Sequence, residues 1–268
     1  MTSGYEDRLG LLKLKLGQLE NLAVAFSGGV DSSALLHAAH SVLGDRAVGV
    51  IADSPSLPRK ELEIARRVAL AIGARLEVIE TNELEDERYT RNAGDRCYFC
   101  KAALFETMEA WARKAGFGAL AFGEITDDAL DDRPGARAAV EFGVVAPLSA
   151  AGFGKEDVRR YAREAGLEVA DKPASACLAS RLPTGTRVTR ERLARVERCE
   201  DNLRELGLKQ LRVRDHGSKA RVEVGGEELA LAKTVWSEVE RLLASEGFSQ
   251  TELAEYGAPS GPHRALTS

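Results

Sequence analysis

The chain has 268 residues, of which 44% are apolar and 29% charged, and its net charge is −5. This composition is that of an ordinary globular protein with a sizeable core, and it argues against a protein that grips long nucleic acids through a basic face. No apolar stretch approaches the roughly 18 residues that cross a bilayer. The N-terminal sequence MTSGYEDRLGLLKLKL predicts an amphipathic helix and has no export signal. We therefore expect a cytoplasmic protein that acts on a small molecule.

Residues 1–150 alternate β-rich runs with helical patterns, which predicts a parallel sheet with helices on both faces. The predicted strands are NLAVAF (21–26), RAVGVIAD (46–53), RLEVIET (75–81), FGALAFG (117–123) and FGVVAPL (142–148). The predicted helices are DSSALLHAAHSVLG, PRKELEIARRVALAIG, KAALFETMEAWARKAG and KEDVRRYAREAG.

Periodicity is lost over residues 167–188 and returns in a second, smaller unit. There we predict a helix over 189–206, strands near 209–215 and 219–225, a helix over 226–246 and a final strand near 249–253. The predicted organisation is an α/β domain over 1–170, a loop over 171–188 and a small α+β domain over 189–268. The tail YGAPSGPHRALTS is expected to be frayed.

The first predicted strand runs directly into Ser27-Gly28-Gly29-Val30-Asp31-Ser32-Ser33, and a helix follows. Paired glycines let the backbone approach a ligand, and the helix start offers unpaired N–H groups to a phosphate. The residues expected to bind the nucleotide phosphates are Ser27, Gly28, Gly29, Asp31, Ser32 and Ser33. The loop has neither the lysine of a Walker A motif nor the spacing of the dinucleotide fingerprint. It resembles the PP-loop of the ATP pyrophosphatases, which implies cleavage of ATP between its α and β phosphates.

An acidic loop, GEITDDALDDRPG (123–135), follows the fourth strand at the edge where open α/β sheets bind ligands. Asp127, Asp128 and Asp132 are candidate ligands of Mg²⁺, which prefers a few carboxylates together with phosphate oxygens. A solvated acidic turn explains the loop equally well.

Four cysteines divide into three candidates for chemistry and one for packing. Cys97 and Cys100 form a CxxC at a helix start, a spacing that zinc, redox and iron–sulfur sites all use. Cys177 lies in the irregular segment between Lys172 and Arg181, where neighbouring cations favour the reactive thiolate form. The alternative interpretation is a buried thiol in a loop. Cys199 falls on the apolar face of a predicted helix and is expected in the core. Three thiolates would leave a metal site with an open position.

These motifs, in this order, resemble the LarE family of PP-loop sulfur transferases from about residue 10 to 250; KPASACLASR is the most specific segment. The resemblance implies that ATP adenylates a carboxylate of pyridinium-3,5-biscarboxylic acid mononucleotide and that sulfur then replaces AMP. In some members the cysteine matching Cys177 gives up its sulfur, and in others three cysteines hold a [4Fe–4S] cluster. With Cys97 and Cys100 present, the chain resembles the cluster type, with Mg²⁺ and ATP as further cofactors. The resemblance also implies a homo-oligomer, with a hexamer as one form, and an external sulfide source.

Further site residues are expected in the second unit. Arg212 and Arg214 share one face of a predicted strand, and the resemblance places such arginines at the substrate phosphate, with surface arginines as the alternative. Ser180 and Arg181 are expected to shape the same pocket. Glu200 is a candidate catalytic residue beside the reactive cysteine, or an ordinary helix glutamate. The family's C-terminal Tyr-Arg motif is absent, which leaves the role of the tail open.

Three other functions compete with this one. A PP-loop tRNA thiolase also combines SGGxDS with CxxC, but the acidic net charge disfavours RNA binding. A PP-loop synthetase that uses ammonia would not need the three cysteines. A nucleotide-sensing scaffold would bind ATP without turnover.

Overall fold

A computed structural model describes residues 4–129, 134–173 and 175–257, with side chains described except at 129 and 134–136. Asp132 and the tail beyond Gly257, both noted in the sequence, lie outside the described residues. The described part divides into two compact units. The first unit ends at Ser175 and the second begins at Ala176, except that Thr90–Gly94 belongs to the second. No helix in the described ranges has the length and apolar character needed to cross a membrane.

The first unit is built on a parallel sheet in the order β3-β2-β1-β4, which confirms the predicted α/β class. Its strands are β1 (Leu22–Ala25), β2 (Ala47–Asp53), β3 (Arg75–Glu80) and β4 (Leu120–Phe122). Its helices are α1 (Tyr5–Gly17), α2 (Val30–Leu43), α3 (Arg59–Ile72), α4 (Glu87–Thr90), α5 (Arg96–Ala115), α6 (Thr126–Ala129), α7 (Pro134–Glu141), α8 (Pro147–Ala150) and α9 (Lys155–Glu164).

Alternate residues of the central strands enter different cores, so helices cover both faces of the sheet. Leu22 and Val24 of β1 pack in a core with α1, α2, α3 and α9. Ala23 and Val48 face the other side, where Met108 of α5 packs on them. The fully apolar β1 is buried on both faces, whereas β3, at the edge of the sheet, has only Ile79 buried.

The predicted fifth strand over 142–148 is wrong, because the segment reaches β4 only through a parallel bridge between Ala121 and Val145. Gly143 adopts a φ of +61° before the bridge, and Pro147 opens α8 after it. Proline has no N–H to donate to a ladder, so the pairing stops at a single residue.

The second unit packs α10 (Arg190–Glu205), α11 (Leu229–Thr234) and α12 (Trp236–Ser245) on a three-stranded sheet. The strands are β5 (Leu211–His216), β6 (Lys219–Val224) and β7 (Gln250–Glu255); β5 is antiparallel to β6, and β6 is parallel to β7. Cys199 is 1% exposed in this core, which confirms its predicted packing role. The single helix predicted over 226–246 is wrong, since Val235 separates α11 from α12.

Candidate active site

The loop between β1 and α2 is stabilised by its own serines. The Ser27 N–H donates to the Ser32 hydroxyl at 3.2 Å, and the two hydroxyl oxygens lie 3.1 Å apart. The Ser32 hydroxyl also lies 3.2 Å from the Gly29 carbonyl oxygen, which accepts from it. The N–H of Gly29 makes only a long contact, 3.3 Å, with the Ser27 hydroxyl. The first turn of α2 thus presents polar groups at a helix N-terminus, where an anion is favoured.

Two glycines let this loop pack closely on its neighbours. Gly28 has a φ of +68°, and a Cβ placed there would lie 2.9 Å from the Cα of Ala65 on α3. A Cβ at Gly123, directly after β4, would lie 2.8 Å from the backbone nitrogen of Ser32. The loop is therefore held between α3 and the end of β4. The contact of Gly123 with the loop was not predicted from the sequence.

A cavity of about 270 Å³ opens beside the loop, within the first unit. Its polar lining consists of Ser27, Gly29, Asp31, Ser32, Lys101, Gly123, Glu124 and Asp128. Its apolar lining consists of Ala25, Phe26, Val50, Ala52, Leu104, Phe105 and Phe122. A cavity that joins a phosphate-binding loop to apolar and aromatic side chains suits a nucleotide, with its phosphates at the loop and its base against the apolar side.

Four of the predicted loop residues line this cavity: Ser27, Gly29, Asp31 and Ser32. Gly28 and Ser33 are buried beside it. The hydroxyl of Ser33 is enclosed and has no hydrogen-bond partner among the described residues. The part that each residue takes in nucleotide binding stays a prediction.

The ionisable groups of the cavity perturb one another. Burial raises the pKa of Asp31, and the carboxylate of Asp128 raises it further, although Lys155 acts in the opposite direction. Burial also raises the pKa of Glu124, against the attraction of Lys101. Burial makes the ionised form of these carboxylates less stable, and a divalent cation would offset this effect. Mg²⁺, bound together with phosphate oxygens, would be such a cation.

Lys101 is a cavity residue that the sequence analysis did not identify. Burial lowers the pKa of its ammonium group, while Glu124, Asp128 and the two cysteines of the CxxC raise it. Its Nζ lies 4.9 Å from the centre of the Phe122 ring. Helical spacing in the sequence places Lys101 on one stripe with Leu104, Phe105 and Met108. A lysine on this apolar stripe was the signal that could have identified it as a cavity residue.

Of the three predicted Mg²⁺ ligands, Asp127 and Asp128 lie within the described residues, and their surroundings differ. Asp128 lines the cavity. Asp127 accepts the backbone N–H of Lys155 at 2.9 Å, which places its carboxylate at the start of α9. Asp31, Glu124 and Asp128 are therefore the carboxylates that line the cavity, whereas Asp127 is not among its lining residues.

The CxxC cysteines lie near the start of α5, which begins at Arg96. Cys97 is exposed and Cys100 is half-buried. Cys100 directly precedes Lys101, which lines the cavity. Two such thiols fit as two ligands of one metal centre. Within the described ranges, no three Cys, His, Asp or Glu side chains are grouped to hold a metal, so the three-cysteine set stays a prediction.

In the second unit, Cys177 precedes a 3₁₀ turn, Leu178–Arg181, and is partly exposed. Arg181 closes this turn by donating to the carbonyls of Ala176 at 2.6 Å and Cys177 at 3.1 Å. Its guanidinium is buried and pairs with Glu200 at 2.8 Å. Arg181, a cation close to Cys177 in the sequence, therefore stabilises the backbone of the 3₁₀ turn that follows the cysteine.

Glu200 is 1% exposed, and both of its carboxylate oxygens accept hydrogen bonds. It accepts from Arg181, from Arg204 at 3.1 Å and from the backbone N–H of Val213 at 3.1 Å. These contacts join α10, the 3₁₀ turn and β5, which is a structural role. A catalytic role for Glu200 stays a prediction.

The two predicted phosphate-binding arginines lie on β5 and differ in their partners. Arg214 pairs with Glu223 and donates to the Ser180 carbonyl at 2.7 Å. Arg212 stacks on Tyr256, with its guanidinium carbon 4.7 Å from the ring centre. Burial lowers the pKa of Arg212, and the charges of Arg181 and Arg214 lower it further, whereas Tyr256 and Glu223 raise it. Such a concentration of guanidinium groups favours an anionic ligand.

Comparison with known proteins gives several relatives. The chain is 35% identical to pyridinium-3,5-bisthiocarboxylic acid mononucleotide synthase of Lactiplantibacillus plantarum, over 92% of this chain and 90% of that protein. It is 39% identical to an uncharacterized protein of Synechocystis sp., over 98% of this chain and 99% of that protein. A GMP synthase of Chlamydia caviae is 29% identical over 45% of this chain and 24% of its own length, which supports the PP-loop fold. No family model matches the chain.

Proposed function

Because the chain belongs to the LarE family, the pyridinium-3,5-bisthiocarboxylic acid mononucleotide synthases, we propose that it is an ATP-dependent sulfur transferase acting on the pyridinium dicarboxylate nucleotide that precedes the nickel-pincer cofactor. The observation that carries the proposal is the cavity beside the SGGVDSS loop, where a phosphate-binding helix start meets an apolar pocket. The reaction needs a nucleotide site, because the carboxylate oxygen can be displaced only after ATP has adenylated it, so that AMP is the leaving group.

The first step is adenylation of a carboxylate. A carboxylate oxygen of the substrate attacks the α-phosphorus of ATP, and the bond to the bridging oxygen of pyrophosphate breaks. The electron pair leaves with pyrophosphate, and an acyl adenylate remains. The loop N–H groups bind the phosphates, Lys101 neutralises developing negative charge, and Asp31 and Asp128 would hold Mg²⁺.

The second step transfers sulfur. The thiolate of Cys177 attacks the acyl carbon and AMP departs, which leaves a thioester on the cysteine. Loss of the Cys177 Cα proton and cleavage of its Cβ–S bond then release the thiocarboxylate and leave dehydroalanine. A [4Fe–4S] cluster held by Cys97, Cys100 and Cys177 would instead supply an exchangeable sulfide, so that the protein survives each turnover.

The second unit supplies the substrate's phosphate site in this proposal. Arg212 provides charge, Arg214 and Arg181 add to it, and Ser180 belongs to the same turn. We further propose that the protein works in the cytoplasm as a homo-oligomer and receives sulfide from an external donor when a cluster is present. Its partner is a small nucleotide rather than RNA.

The test combines the anaerobically reconstituted protein with ATP, Mg²⁺ and the pyridinium dicarboxylate nucleotide. Pyrophosphate release that requires the dicarboxylate, together with a thiocarboxylate product, supports the proposal. An unchanged protein mass with bound iron identifies the cluster as the sulfur source, whereas loss of one H₂S at Cys177 identifies the cysteine. Pyrophosphate without a thiocarboxylate would sink sulfur transfer. Turnover that survives alanine at Cys97, Cys100 and Cys177 would favour an ammonia-using synthetase, and thiolation of tRNA would favour a tRNA thiolase.

A further inference from the structure

Lys172 makes a contact with the phosphate loop that its sequence position beside Cys177 does not suggest. Its Nζ lies 2.5 Å from Oε2 of Glu61 on α3 and 3.4 Å from the carbonyl oxygen of Gly28. The side chains of Lys172 and Glu61 are each only 17% exposed. Because this ion pair is partly buried, it holds the Lys172 side chain in one position, close to both α3 and the phosphate loop.

The carbonyl of Gly28 controls the direction of the next N–H group. The peptide between Gly28 and Gly29 is planar and trans, so its C=O and N–H point in opposite directions. With the Gly28 carbonyl 3.4 Å from the Lys172 ammonium, the Gly29 N–H points away from Lys172. Among the described residues, that N–H contacts the Ser27 hydroxyl alone, at 3.3 Å, and Gly29 lines the cavity.

A peptide between two glycines needs an external constraint. Neither residue has a Cβ, so both orientations of the peptide plane are sterically open in a free chain. Close packing of Gly28 on Ala65 restricts the loop, but it acts on the Cα of Gly28 and not on its carbonyl. The hydrogen bond from Lys172 supplies the missing constraint, and Glu61 fixes the lysine.

We propose that Lys172, held by Glu61, is a positioning residue that orients the Gly28–Gly29 peptide so that the Gly29 N–H meets a nucleotide phosphate. The inference rests on the proposed function, because the ligand it requires is the phosphate chain of ATP. Lys172 itself touches no substrate in this arrangement. It acts through the backbone of the loop.

The experiment measures the affinity of the full chain for ATP and for adenosine by calorimetry, in Lys172→Met, Lys172→Arg and Glu61→Gln. Losing an oriented hydrogen bond to a charged phosphate is worth about 1.4 kcal/mol or more, so Lys172→Met is expected to weaken ATP binding roughly tenfold. Adenosine has no phosphates and is expected to bind as it does to the wild type. Lys172→Arg retains a donor and is expected to restore part of the affinity, and Glu61→Gln is expected to lie between.

Lys60→Met and Glu63→Gln serve as controls, since both residues are exposed on the same helix as Glu61. The inference is overturned if Lys172→Met binds ATP as tightly as the wild type does. It is also overturned if ATP and adenosine weaken equally in all three variants, which would mean a general loss of structure. Failure of the wild type itself to bind ATP would instead overturn the proposed function, and the inference with it.

Discussion

At the residue scale, Gly28 faces two separate constraints. Its positive φ costs another residue about 1–2 kcal/mol, and its close approach to Ala65 leaves no room for a Cβ. Gly116, at the C-terminus of α5, has a similar φ of +78° but nothing within 4 Å of a built Cβ. Comparing substitutions at Gly28 and Gly116 therefore separates the free-energy cost of the positive φ from that of the contact with Ala65.

We expect Gly28→Ala to lose ATP binding and to lower the melting temperature more than Gly116→Ala does. Gly116→Ala carries only the conformational cost, whereas the clash at Gly28 displaces either α3 or the loop. Calorimetric titration with ATP and thermal unfolding of both variants measure the two effects. Equal melting temperatures together with retained ATP affinity would show that the loop tolerates the added methyl group.

Glu200 illustrates how burial changes the meaning of a residue. In the sequence it is one glutamate among many on a charged helix, α10. In the structure it is enclosed, and it is paired with Arg181, which is 5% exposed. Removing one partner of such a buried pair leaves the other charge unbalanced at a cost of about 3–5 kcal/mol. The residue therefore stabilises the second unit, independently of any part it has in catalysis.

At the element scale, α2 carries the phosphate loop at its start and packs on α9 through a pair of polar rings. Nδ1 of His37 lies 2.8 Å from the hydroxyl of Tyr161, and the rings meet edge to face. Burial raises the pKa of Tyr161 to about 12, so the hydroxyl stays protonated. Burial lowers the pKa of His37, and the charge of His40 lowers it further.

This shift gives the stability of the first unit a dependence on pH. Below the ordinary histidine pKa of about 6.5, the unfolded chain takes up a proton that the folded His37 resists, so stability falls as the pH decreases. His37→Asn cannot titrate. We expect the wild type to be the more stable of the two near pH 7.5 and its advantage to shrink near pH 5.5.

Tyr161→Phe is the matched control, because it removes the hydrogen bond but leaves His37 buried. It is expected to be less stable than the wild type while retaining the loss of stability at acidic pH. Thermal unfolding of the three proteins across this pH range is the measurement. A gap between wild type and His37→Asn that does not change with pH would contradict the assignment.

The elements show which features of the fold are readable from sequence. Buried apolar strands and amphipathic helices are local patterns, so β1 to β4 and the long helices were predicted close to their observed bounds. The division of residues 226–246 at Val235 was not predicted, because the apolar spacing continues through it. Thr234, Val235 and Trp236 are weak helix formers in a row, and they mark the break only in retrospect.

The candidate site divides in the same way. SGGVDSS is a contiguous motif whose strand, turn and helix are all local, and its place in the fold followed from the sequence. Lys101, Gly123 and Lys172 reach the loop or its cavity from distant parts of the chain. Such tertiary contacts depend on how α5, β4 and the segment after α9 pack. Helical spacing puts Lys101 on the apolar stripe of α5, but it does not show that this stripe meets the loop.

At the scale of the whole molecule, a short segment from the first half of the chain belongs to the second unit. Asn92 is 3% exposed and has a φ of +56°, which asparagine tolerates better than most residues. Its amide nitrogen donates to the carbonyls of Pro183 at 2.8 Å and Thr186 at 3.0 Å. Its own carbonyl accepts from Gly185, and that of Thr90 accepts from Val188. The second unit is therefore discontinuous in sequence.

A fragment that begins at Ala176 lacks this segment but keeps the whole of the core around β5 and β6. We expect amides of Gly185 and Val188 to exchange with deuterium much faster in the fragment than in the full chain, because their acceptors are missing. The amides of Val213, which donates to the Glu200 carboxylate, and of Val222, in the central strand β6, are the internal control and are expected to keep their protection. Equal protection of Gly185 in both proteins would mean that the loop is ordered without Asn92. Fast exchange at all four sites would mean that the segment 90–94 is required for the fold of the entire unit.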